Sequence, residues 1–181
     1  LLVSDFIQKL RKSGVEISGN MNETMVAAKR KTIHTHFSPA LSEVVKEINL
    51  YSNNHYAEHL FRHLALQRKT QATTNEAIRT VRSFWASKGL PVDELIMQDG
   101  SGLSPTNAVS ARFLVSLLQY MDKSKYRNAF RASLPIAGKS GTLRGFLKDS
   151  ILAGKLIAKS GSASRVKSYA GYIDRNGKSY T

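Results

Sequence analysis

The chain has 181 residues and a formal net charge of +14, from 27 Lys and Arg against 13 Asp and Glu. Hydrophobic residues make up 41%, enough for the core of one domain, and no run reaches the roughly 18 apolar residues of a membrane-spanning helix. Cysteine is absent, which excludes disulfides, iron–sulfur clusters and thiol nucleophiles.

In chain order, Leu2, Val3, Phe6, Ile7 and Leu10 recur at helical spacing, and Gly14 offers a stop. Val15-Glu16-Ile17 is expected as a short strand turned at Gly19-Asn20, followed by an irregular or extended stretch over 21–37. Ser38-Pro39 opens a second helix with Leu41, Val44, Val45 and Ile48 on one face. It runs into Tyr51-Ser52-Asn53-Asn54, and a third helix follows with Ala57, Leu60, Phe61 and Leu64 inward. Thr73 and Glu76 read as a capping box for a helix through Ile78, Val81, Phe84 and Trp85, stopped at Gly89. Residues 95–105 read as loop-rich. Ser110 caps a helix through Phe113, Leu114, Leu117, Leu118 and Met121. After Pro135 come a loop over 138–150, short strands at 155–158 and 168–173, a turn at Asp174-Arg175-Asn176-Gly177 suited to positive φ, and a last strand from Lys178. The fold class is therefore α+β: a helical cluster on an antiparallel sheet. The N-terminus shows no basic region followed by an apolar core, the mark of a signal peptide.

Two short motifs carry chemistry. Ser52-Asn53-Asn54 lies between two amphipathic helices; alone it reads as a helix terminator and N-cap. Lys159-Ser160-Gly161-Ser162 follows a strand. There lysine supplies positive potential, the hydroxyl a hydrogen bond, and glycine the absence of a side chain that would block a groove. Ser-x-Asn followed by Lys-Ser/Thr-Gly is the order of the second and third motifs of β-lactamases and penicillin-binding proteins. Asp99-Gly100-Ser101-Gly102-Leu103-Ser104, Leu134-Pro135-Ile136-Ala137-Gly138, Gly141-Thr142-Leu143 and Ala170-Gly171-Tyr172 stand in matching order as well. Taken together, residues 1–181 resemble the D-alanyl-D-alanine carboxypeptidase/endopeptidase family, the class C low-molecular-mass penicillin-binding proteins.

The resemblance implies part of a β-lactamase/transpeptidase fold and a serine peptidase acting on peptidoglycan stem peptides through an acyl-enzyme. It implies a catalytic set of Ser52, Asn54 and Lys159, with Ser52 and Lys159 passing a proton to the leaving amine and Asn54 holding the substrate amide. It also implies a substrate-binding set of Ser160, Gly161, Ser162 and Leu103. Ser160 and Ser162 take the terminal carboxylate, the Ser162 N–H forms one arm of the oxyanion hole, and Leu103 lines the pocket. Implied partners are peptidoglycan peptides and, for the full-length protein, β-lactams, in the periplasm or cell envelope of a bacterium. No cofactor, metal or nucleic acid is expected, since no nucleic-acid motif accompanies the scattered basic residues.

Two departures stand out. Relatives often carry arginine two residues after the leucine, where this chain has Pro105, and this bears on recognition of the substrate's side chain. The larger one is the nucleophile. The only Ser-x-x-Lys is Ser164-Arg165-Val166-Lys167, directly after the lysine-serine-glycine strand, where that spacing puts serine and lysine on opposite faces. The resemblance puts the nucleophile upstream, so residues 1–181 are expected to be the C-terminal part of a transpeptidase-like domain lacking the Ser-x-x-Lys segment. Two further strings compete. Lys139-Ser140-Gly141-Thr142 matches the third motif without a strand before it. His55-Tyr56-Ala57-Glu58-His59, with His63, matches an inverted zinc-peptidase string. A metallopeptidase and a non-catalytic basic cell-wall-binding domain thus stay open beside the serine peptidase. The serine reading requires Ser52 Oγ and Lys159 Nζ within hydrogen-bonding reach, ~2.6–3.2 Å.

Overall fold

The computed structural model describes residues 2–19, 32, 34–67 and 72–181. The chain divides into two compact units, Leu1–Phe37 and Ser38–Thr181. The first holds helix α1 (Leu2–Lys12), which ends at Gly14 in the left-handed region (φ +78°), where a residue without Cβ costs least. Residues 15–17, expected as a strand, are not one: Val15 N–H returns to the Leu10 carbonyl (3.0 Å), so the segment serves the helix end. The expected turn at Asn20 and the stretch over 20–31 lie outside the described residues.

The second unit contains α2 (Leu41–Tyr51), α3 (Asn54–Ala65), α4 (Thr74–Ser87), α5 (Ala111–Lys123) and α6 (Arg127–Ser133). Its strands are β1 (Leu95–Ile96), β2 (Ala108–Val109), β3 (Leu156–Ala163), β4 (Val166–Arg175) and β5 (Lys178–Tyr180). Ala40, not Ser38, is the N-cap of α2. The Thr73 side chain caps α4 by accepting the Glu76 N–H (3.3 Å), while the Glu76 carboxylate is engaged by Arg79 (2.8 Å). Ser110 Oγ accepts the Phe113 N–H (2.9 Å) at the head of α5.

Two elements depart from the sequence expectation. Residues 95–105 are not all loop, because β1 pairs with β2 (Leu95↔Val109, Ile96↔Ala108). Helix α6 (Arg127–Ser133) falls in a segment to which the spacing of apolar residues assigned no element. Two-residue strands and a two-turn helix are too short to show a hydrophobic period.

The sheet runs β3-β4-β5, all antiparallel. Asn176 and Gly177, both at positive φ, make the expected tight turn into β5. The β3–β4 hairpin is longer than expected, pairing down to Ala163↔Val166. Lys159 is consequently fourth of eight strand residues rather than at a strand end. One face of the sheet packs on α5 and α6 through Leu118, Leu134 and Tyr172, with Phe130, Ile157 and Ala170 around them. Tyr172 is fully buried and donates its hydroxyl to the Leu118 carbonyl (2.8 Å); burial, then the nearby Asp122 charge, pushes this phenol up to about 12. Arg131 of α6 lies over the Tyr172 ring (4.4 Å) and binds Asp122 on α5 and Asp174 on β4 (2.7 and 2.6 Å), tying the helices to the sheet. A second core joins α3 to α4 through Phe61, Ala65 and Ala77, and a third gathers Leu90, Leu95 and Phe113. No residue of α2 is fully buried and Leu41 is exposed, so the apolar face marked by its spacing is only half covered.

Candidate active-site cleft

The pieces of the cleft are set by local backbone chemistry. Ser52 closes α2 in the left-handed conformation (φ 54°, ψ 47°), one that non-glycine residues adopt at a cost of roughly 1–3 kcal/mol and that concentrates at functional sites. Asn53 opens α3, its Oδ1 accepting the Tyr56 N–H (3.1 Å). The helix-terminator reading of this tripeptide is thus literally true, and the break it makes leaves Ser52 and Asn54 facing a cleft. That cleft has a volume of about 720 Å³.

Its floor is the free edge of β3. Residues 135–137 cover the start of this edge through the Ile136↔Ile157 bridge and the bond from Ala158 N–H to the Pro135 carbonyl (2.9 Å). Past Ala158, no further strand pairs there among the described residues. Ser52, Asn54, Leu103, Lys159, Ser160, Gly161 and Ser162 all line the cleft. Lys159 Nζ donates to Ser52 Oγ and to the Ser160 carbonyl (2.6 Å). Burial pushes the Lys159 pKa below the ordinary lysine value. A Cβ built on Gly161 would meet Ser168 Oγ (2.7 Å), so the space this glycine leaves is toward the neighbouring strand.

The opposite wall is the Asp99–Ser104 loop. Asp99 Oδ1 accepts the Gly102 N–H (2.6 Å) and the Asn107 amide (3.2 Å), and Oδ2 accepts the Ser104 N–H (2.7 Å). Burial pushes this carboxyl up, but the bonds from Gly102 and Ser104 outweigh it and hold the group below its ordinary value. The loop is tied to α3 by the bond from Gly100 N–H to Glu58 Oε2 (2.8 Å) and presents Leu103 70% exposed.

The lining also includes Thr142, Phe146, Lys167 and Tyr169, to which the resemblance assigned no role. Thr142 Oγ1 and Ser160 Oγ are 2.8 Å apart, and Phe146 stacks on Tyr169 (4.5 Å, 15°). Lys167 is the register partner of Ser162. Among the described residues the lining contains two lysines and no carboxylate, an electrostatic match for an anion.

The competing strings resolve differently. Ser164 and Arg165 form the β3–β4 turn, with Arg165 at φ 63°, so this serine is not one helical turn from a lysine. Glu58, the base a zinc peptidase would need, bonds Arg62 (2.8 Å) and Gly100 instead, and the Arg62 bond holds it below the ordinary carboxylate value. His55 and His59 pack edge to face (4.3 Å), and no group of three His, Asp or Glu side chains suited to a metal occurs among the described residues.

Helices packed on an antiparallel sheet, with a cleft between the sheet edge and a helix break, define the transpeptidase-like α+β fold of penicillin-binding proteins. The chain belongs to the D-Ala-D-Ala carboxypeptidase 3 (S13) family, whose model matches residues 1–180. The D-alanyl-D-alanine carboxypeptidase DacB of Haemophilus influenzae is 31% identical over 94% of this chain and 36% of its own length. A D-alanyl-D-alanine carboxypeptidase of an Actinomadura species is 30% identical over 93% and 33%. The crystal structure of penicillin-binding protein 4 (dacB) from H. influenzae, complexed with a β-lactam, superposes with a TM-score of 0.87 at 30% identity, over 98% of this chain and 42% of that one. A predatory endopeptidase of Bdellovibrio bacteriovorus, at 22% identity and a TM-score of 0.61 over 77% of this chain and 35% of its own, shares the fold. The chain spans about a third of the length of the curated relatives it matches.

Proposed function

We propose that the protein carrying this chain is a serine-type D-Ala-D-Ala carboxypeptidase/endopeptidase of peptidoglycan stem peptides. The observation that carries the reading is the hydrogen bond from Lys159 Nζ to Ser52 Oγ across 107 residues of sequence, inside a cleft whose lining, among the described residues, has two cations and no acid. In this reading residues 1–181 are the C-terminal part of a transpeptidase-like domain, and the nucleophile comes from a Ser-x-x-Lys segment outside them. A cavity of about 390 Å³, lined by Leu114, Leu117, Phe130 and Ala170 and opening beside Lys159, suits the apolar face of the helix that would bring it.

The nucleophile's Oγ, its proton taken by the lysine of the same Ser-x-x-Lys segment, attacks the carbonyl of the penultimate D-Ala, and the C–N bond to the terminal residue breaks as an acyl-enzyme forms. The leaving amine takes a proton through Ser52 and Lys159; burial brings Lys159 nearer the pH at which it can give and regain one. Asn54 holds the substrate amide. The Ser162 N–H bonds the oxyanion, Ser160 and Ser162 hold the terminal carboxylate, Gly161 lets this part of β3 lie close to Ser168 of β4, and Leu103 covers the substrate. Water then attacks the acyl carbonyl and releases the shortened peptide. No cofactor enters. β-Lactams acylate the same serine, and the site of action is the periplasm or cell envelope. The engagement of Glu58 by Arg62 and Gly100 disfavours the zinc alternative.

Mass spectrometry after incubation with penicillin tests the reading on the protein with its nucleophile segment. One covalent adduct is expected, on a serine outside residues 1–181. The Ser52→Ala and Lys159→Met variants should acylate about 10²-fold more slowly or worse. An unlabelled protein that still binds cell wall would support the non-catalytic reading instead.

A further inference from the structure

The string Lys139-Ser140-Gly141-Thr142 delivers Thr142 to the cleft, where no step of the reaction described above uses it. The 3-10 turn Gly141–Leu143 is clamped from both sides. Gly141 sits at φ +56° so close to α2 that a Cβ there would lie 2.5 Å from the Leu50 carbonyl oxygen. Leu143 is 1% exposed, and its carbonyl accepts the Gly138 N–H (2.9 Å). Ser140 turns inward, its Oγ accepting the Ile136 N–H (3.0 Å). Thr142 is the hydroxyl of this turn that reaches the β3 edge, 2.8 Å from Ser160 Oγ.

Each of these hydroxyls has one proton, so between them only one can donate to the other. A carboxylate accepts and never donates. When one binds at Ser160, the Ser160 proton must point to it, and the Thr142 proton must then fill the Ser160 lone pair. The two hydrogen bonds of the Lys159 ammonium go to Ser52 and to the Ser160 carbonyl, not to the Ser160 hydroxyl. With no acidic side chain in the lining among the described residues, the acceptor at the end of the chain is supplied by the ligand.

We propose that Thr142 is a positioning residue that donates to Ser160 Oγ and so aims the Ser160 proton at the C-terminal carboxylate of the substrate peptide. The inference rests on the peptidase reading. A donor chain of this kind polarises along its length, which strengthens the final bond to the anion. Its contribution is to binding of the carboxylate, present before and during the reaction, so it is read in KM rather than kcat.

The test uses the protein with its nucleophile segment and two peptides, one ending in D-Ala-D-Ala with a free carboxylate, the other its C-terminal amide. Thr142→Val should raise KM for the carboxylate peptide roughly 5- to 10-fold with kcat within about twofold. It should leave the amide peptide unchanged, and Thr142→Ser should restore the wild-type KM. Should the valine variant not fold, Thr142→Ala carries the same expectation. Equal losses on both peptides, or a serine variant no better than valine, would show a purely structural role and overturn the inference. An active wild type whose valine variant keeps its KM overturns it too, leaving the peptidase reading intact. A wild type that cleaves neither peptide overturns both.

Discussion

Asp99 shows how a single side chain can shape a wall of the cleft. Its carboxylate gathers two backbone N–H groups and the Asn107 amide, which explains why an Asp-Gly-Ser-Gly string has this form: the glycines allow the turn and the acid holds it. Asp99→Asn keeps the shape but loses the charge, and should lower stability by about 1 kcal/mol, the modest figure reflecting partial exposure. The folded pKa is below the ordinary 3.8. The wild-type advantage is therefore full above that value and disappears as pH falls through the lowered one. Urea midpoints of both proteins between pH 7 and 2.5 check this; a difference that persisted at the acid end would assign the effect to packing. The same residue-scale logic explains what the motifs could not disclose. Lys167 and Thr142 enter the cleft because of strand register and a turn, and the strings they stand in gave neither of them a role there.

At the scale of elements, the site depends on the seating of the Gly141–Leu143 turn against the last turn of α2. Gly141→Ala adds a Cβ into the Leu50 carbonyl at a positive φ, so the turn must move away from α2. The expected loss is about 1–3 kcal/mol. Gly145→Ala is the internal control, since its Cβ meets nothing within 4 Å and its φ is not positive; it should stay within about 0.5 kcal/mol of wild type. Chemical denaturation midpoints compare the two, and equal effects would mean that the close approach to α2 is unimportant. Helices α3, α4 and α5 were legible because their apolar residues repeat and their caps are side chains of the expected kind. The β1–β2 ribbon and α6 were not, because they are too short to carry a period and are held by tertiary partners. Arg131, which binds Asp122 and Asp174 at once, is the clearest of these.

For the whole molecule, the decisive question is whether residues 1–181 can react alone. Neither Ser52, bonded to Lys159, nor Ser164, in a hairpin turn, stands one helical turn from a lysine. The 181-residue chain by itself should therefore form no stable penicillin adduct. In the proposed reading residues 1–181 lack the nucleophile and one oxyanion donor, a loss on the order of 10³-fold or more in rate. Mass spectrometry after incubation decides it, and an adduct on either serine would show that the nucleophile has been misplaced. The amino-acid sequence by itself determined the α+β class, most helix positions, the final hairpin turn and the order of two motifs, because periodicity, caps and turn residues act over a few neighbours along the chain. The seven residues that the resemblance implied all line the cleft. Only the tertiary structure decided that Lys159 reaches Ser52, that Glu58 serves a loop rather than a metal, and that Thr142 meets Ser160. Each of these is a contact between elements far apart in the chain, chosen by packing that no local pattern encodes.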